Sequence, residues 1–61
     1  MSFIIVEDIQ VPAKKFDELE NAREDASEKE VIVRNNDGQY WVVDEEDYAK
    51  IEAYGYELVE K

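Results

Sequence analysis

The run Asn35-Asn36-Asp37-Gly38 lies between Val31-Ile32-Val33 and Tyr40-Trp41-Val42-Val43, and it constrains this chain more than any other stretch. Asn, Asp and Gly tolerate the positive φ that a hairpin turn requires. The β-branched and aromatic residues on either side suit a pleated, half-buried surface. The two flanks are therefore predicted to pair as antiparallel strands, with cross-strand contacts contributing about 0.2–1 kcal/mol each. With 61 residues the chain has room for one small domain, 1–61, arranged around that hairpin.

Upstream, residues 3–11 are β-branched and apolar, then alternate, with Glu7, Ile9 and Val11 on one side and Asp8 and Gln10 on the other. They read as one strand whose start, Phe3-Ile4-Ile5-Val6, is covered on both faces. Pro12 suits the first turn of a helix, and Phe16, Leu19, Ala22 or Arg23, and Ala26 recur at helical spacing. This predicts a first helix over 12–26, about 22 Å long. After the hairpin, Asp44 caps a second helix with Tyr48, Ile51 and Tyr54 as its apolar stripe and Gly55 as its stop. Residues 56–61 read as a short tail. The order β-α-β-β-α implies an α+β domain with a small antiparallel sheet and two helices.

Seventeen acidic residues against seven basic ones give a formal charge of −10, and the chain has no Cys and no His. That excludes disulfides, thiolate zinc sites, a Cys nucleophile, a Ser-His-Asp triad and an imidazole base, so no enzyme and no cofactor is expected. No apolar run approaches the roughly 20 residues of a membrane span. The first residues lack a cationic region, so a soluble, cytoplasmic protein without membrane contact is expected. A chain of this size buries only about 60% of its unfolded surface. Dimerisation would add buried area, so a homodimer is expected; a monomer with a tight core is the alternative.

Three groups of residues are candidates for binding. On the predicted first helix Asp17, Glu20, Glu24 and Glu28 recur at i, i+3 and i+4, widened by Glu18 and Asp25. Like charges at that spacing destabilise by about 0.2–0.5 kcal/mol a pair. Such a stripe is either a solvated face or a row of phosphate-like charges for the nucleic-acid cleft of a basic protein. Glu45, Glu46 and Asp47 extend the acidic surface at the start of the second helix, where they suit the helix dipole and would hold a divalent ion weakly at most. Lys14, Lys15 and Arg34 are possible DNA contacts, although −10 overall opposes approach to DNA. Tyr40 and Trp41 alternate across a strand, so one faces the core and the other is a possible dimer or partner anchor. The turn itself mimics part of a calcium loop. It has Val33 at the first ligand position and Asp44 in place of the last Glu, with strands as flanks, so a hairpin turn is the reading kept.

Val31-Ile32-Val33-Arg34-Asn35, the turn, and Tyr40-Trp41-Val42-Val43-Asp44-Glu45-Glu46-Asp47-Tyr48 with Ile51 resemble the N-terminal domain of Phd/YefM-type antitoxins. That family typically shows a "ViitrNG" hairpin followed by "vaVlvs.eeYe.L". Ala13-Lys14-Lys15-Phe16-Asp17-Glu18-Leu19 is similar to the family's "A-R-x-N-F-x-E-L" helix, so the resemblance spans residues 3–54. It implies a homodimer built around the sheet, operator DNA binding through the basic region of the first helix, and toxin neutralisation by a C-terminal tail that folds on binding. Two departures stand out. Ala13 occupies the position of the family's helix arginine, and the long toxin-wrapping tail is expected to be absent or reduced to residues 54–61.

The expectation is a small acidic, non-enzymatic regulatory or inhibitory protein that binds another protein. One form is an antitoxin-like repressor or antidote with a toxin partner. The other is a phage-type acidic inhibitor, a DNA mimic of the anti-restriction or anti-CRISPR sort, that blocks a basic nucleic-acid-binding host protein.

Overall fold

The central hairpin forms where its turn residues place it, joining strand β3 (Glu30–Arg34) to strand β4 (Tyr40–Asp44), with Val33 opposite Trp41 and Val31 opposite Val43. Asn35 organises the turn. Its Oδ1 accepts the backbone N–H groups of Asp37 at 3.0 Å and Gln39 at 3.1 Å, and its own N–H donates to the Gln39 carbonyl at 3.2 Å. Gly38 takes a φ of 81°, which costs a residue without Cβ little.

The computed structural model describes residues 2–60. Strands β1 (Ser2–Val6), β2 (Ile9–Phe16) and β5 (Glu57–Glu60) complete a five-stranded antiparallel sheet of order β1-β2-β4-β3-β5. Helix α1 (Leu19–Asp25) links β2 to β3, and helix α2 (Glu45–Ile51) follows β4, continuing into a 3-10 turn at Glu52–Tyr54. Alternation along each strand separates two clusters. Ile4, Val11, Ala13, Val31, Val33 and Val43 pack with Ile51 of α2, and Ile32 and Val42 pack with Ala22 of α1. The helices thus cover opposite faces of an α+β sheet, the class the sequence implies.

Four expectations about the elements need correction. Residues 3–11 are not one strand: a turn at Glu7-Asp8 reverses the chain, pairing Val6 with Ile9 and Phe3 with Pro12. Glu7 adopts a φ of 51° there, alone among the described non-glycine residues. The start of that segment is also not covered on both faces. Ile4 is buried, but β1 is an edge strand, and Phe3 and Ile5 are exposed on the side that α1 leaves open. The helix expected over 12–26 begins only at Leu19, because residues 9–16 are drawn into the sheet. Pro12 is tolerated since the pairing of β2 with β4 begins two residues later, at Lys14. Phe16, Leu19, Ala22 and Ala26 do form one apolar cluster, but Phe16 enters it from the strand. Finally, 56–61 is no tail: β5 pairs with β3, Leu58 opposite Val33, while Lys61 lies outside the described residues.

The second helix follows the sequence closely. The Asp44 side chain accepts the Glu46 N–H at 2.9 Å, an N-cap bond. Ile51 is fully buried, Tyr48 packs on the same cluster, and Gly55 closes the 3-10 turn with a φ of 94°. Tyr54 leaves the stripe: it is exposed, and its hydroxyl donates to Glu7 at 3.2 Å, tying the 3-10 turn to the β1–β2 turn.

Candidate functional site

The acidic surface is assembled from three pieces. In α1, Ala22 faces the sheet and is fully buried. At about 100° per residue, Glu20 and Glu24 then both point directly away from the sheet, one turn apart and about 6 Å from each other. Asp25 turns sideways toward β2 and pairs with Lys14 at 3.0 Å. Asp17 and Glu18 lie in the bend before α1 and Glu28 in the turn after it. The continuous helical stripe of Asp17, Glu20, Glu24 and Glu28 is therefore not formed; its two central members share a helix face, and the outer two belong to the loops at its ends.

The third piece is the start of α2. The Glu45 N–H donates to the carbonyl of Lys29 at 2.9 Å, fastening the first turn of α2 to the loop between α1 and β3. Glu45 and Glu46 are exposed beside that junction. Asp47 is half-buried and bonds Lys50 one turn on at 3.4 Å. The loop that carries Glu28 and the turn that carries Glu45 and Glu46 therefore lie at the same end of the sheet, although the two helices lie on opposite faces. Within residues 17–28, six carboxylates face one guanidinium, a local charge of −5.

The candidate DNA contacts do not form a patch. Lys14 and Lys15 are consecutive in β2, opposite Val42 and Trp41, so their side chains leave by opposite faces. Lys14 is held by Asp25 at 3.0 Å and Arg34 by Glu57 at 3.5 Å. Tyr40 and Trp41 also part to opposite faces. Tyr40 packs on the cluster under α1 and Trp41 on the cluster under α2, so each is half-buried in the fold instead of one standing free as an anchor. The Trp41 indole N–H is buried without a hydrogen-bond partner among the described residues, at a cost of about 1–3 kcal/mol.

Beside α2 lies a groove of about 370 Å³, lined by Val31, Tyr48 and Leu58 with Glu45 and Glu46. Residue-by-residue reading missed Val31, Tyr48 and Leu58 as a set, because the groove exists only once β5 has docked on β3. The available signal was the β-prone stretch Glu57-Leu58-Val59 after Gly55.

Among the described residues, no three Asp or Glu side chains converge to hold a metal ion, and no helix is long and apolar enough to cross a membrane. Comparison with protein-family models, with curated proteins and with solved structures gave no match.

Proposed function

We propose that this chain is a small non-enzymatic binding protein whose acidic surface engages a basic, nucleic-acid-binding protein and blocks it. The observation that carries the reading is the outward aim of Glu20 and Glu24 from a helix fixed by buried Ala22, continued by Glu18 and Glu28 at its ends and by Glu45 and Glu46 at the end of the sheet. Fixed carboxylates about 6 Å apart imitate the repeat of a phosphate backbone more closely than a flexible acidic tail can. DNA itself is disfavoured as a partner, because Lys14 and Arg34 are already paired with carboxylates. The test is binding of basic nucleic-acid-binding proteins to the immobilised chain, compared between about 50 mM and 500 mM NaCl. Retention at low salt, release at high salt and loss of retention in Glu20→Lys/Glu24→Lys are expected. Retention unchanged by that double substitution would end the proposal.

A second reading, an antitoxin-like repressor or antidote of the Phd/YefM type, is favoured by one observation. Residues 31–48, which carry most of the resemblance, form a hairpin followed by a capped helix, and a hairpin is what the family typically shows there. Against it, residues 13–16, expected to begin the DNA-binding helix, lie in strand β2. This reading requires a homodimer that shifts its own promoter DNA or copurifies with a small toxin. Sedimentation as a single chain, with neither partner found, would remove it.

A further inference from the structure

The groove beside α2 combines three kinds of wall. Val31 and Leu58 supply an apolar floor, Tyr48 an aromatic face, and Glu45 and Glu46 a charged lip. Its volume of about 370 Å³ lies near the lower end of the ~300–1,000 Å³ of ligand sites. The backbone that carries the lip is fixed: the Glu46 N–H bonds the Asp44 carboxylate and the Glu45 N–H bonds the Lys29 carbonyl, both at 2.9 Å, so the first turn of α2 is held at two points. An anion is excluded by the two carboxylates. A neutral apolar group would satisfy the floor and leave the lip unused. A long cationic side chain satisfies both, since its methylene stem lies along apolar surface while its head stays at the charged rim.

We propose that this groove receives an arginine side chain of the basic partner, the stem on Val31 and Leu58, the guanidinium at Glu45 and Glu46 with its plane against Tyr48. Arginine is preferred to lysine because a planar guanidinium both stacks on an aromatic ring and bonds carboxylates in pairs. The inference rests on the reading that the acidic surface meets a basic protein, and it names the side chain taken at one point of that surface.

The test is amide chemical-shift mapping of the whole chain with two probes. N-acetyl-arginine amide reports on the groove, with the lysine and norleucine analogues as controls, and polylysine reports on surface charge. The expected result is that the arginine probe shifts Val31, Glu45, Glu46, Tyr48 and Leu58 and exceeds both controls. Glu45→Gln/Glu46→Gln should weaken it roughly tenfold, and Glu20→Gln/Glu24→Gln, which removes the same charge elsewhere, should weaken it far less. If polylysine shifts α1 while the arginine probe leaves the groove still or moves it no more than norleucine does, the groove assignment is overturned and the acidic surface stands. If the two double substitutions weaken the arginine probe equally, general charge attraction replaces the groove. If neither probe shifts any amide, both readings fall.

Discussion

Along β1 the side chain of Ile4 is 2% exposed and that of Ile5 64%, because a strand sends neighbours to opposite faces and α1 does not reach the β1 edge. Ile4→Ala should therefore cost about 2–4 kcal/mol of stability, and Ile5→Ala less than about 0.5 kcal/mol. Urea unfolding of the two variants measures both; equal losses would mean that the β1–β2 register is wrong. The sequence shows four apolar residues in a row and invites burial of all of them, since nothing local marks an edge strand. At Tyr56, burial pushes the hydroxyl pKa up and the charge of Asp37 adds to it. The folded state then favours the neutral ring. The stabilisation is complete below the ordinary value of about 10 and is lost as pH rises through the raised one. Tyr56→Phe should accordingly lose less stability than the unsubstituted chain as the pH rises above about 10, read as the urea midpoint against pH. Parallel curves would assign the alkaline loss to other groups.

Elements were legible where the local chemistry was decisive and illegible where tertiary pairing overrode it. Asn35-Asn36-Asp37-Gly38 and the Asp44 cap announce themselves, and the structure has both. Asp44→Ala should cost about 1 kcal/mol through the lost bond to the Glu46 N–H, seen as a lower thermal midpoint. The turn at Glu7-Asp8 carries no such signal. A two-residue hairpin with positive φ at its first loop position normally has glycine there, and this chain has glutamate at φ 51°. Reading 3–11 as one strand follows from that absence. Without the first turn, Pro12 looks like a helix start instead of a residue on the unpaired side of β2. The conformation is a strain that glycine would not feel, so Glu7→Gly should stabilise the protein by about 1 kcal/mol despite the loss of the exposed bond from Tyr54. A destabilised variant would show that this bond, not the backbone, sets the turn.

For the whole molecule, charge and compactness oppose each other. The net charge of −10 is carried by a chain whose radius of gyration is 10.2 Å, about one Debye length at 0.1 M salt. Composition made the surplus visible, but only the fold decides that Glu20 and Glu24 share a face while Asp17 and Glu28 fall in loops. If the carboxylates merely kept the protein soluble, replacing two of them would change little. If they form a docking surface, stability has been given up for binding, and the two should move in opposite directions. Glu20→Lys/Glu24→Lys lowers the net charge from −10 to −6, since each reversal adds two. It should raise the thermal midpoint at low salt by about 2–6 °C and flatten its dependence on NaCl, while abolishing retention of basic nucleic-acid-binding proteins. A midpoint that falls, or one that rises with retention intact, would separate the charge from the binding and leave the acidic helix a solvated face.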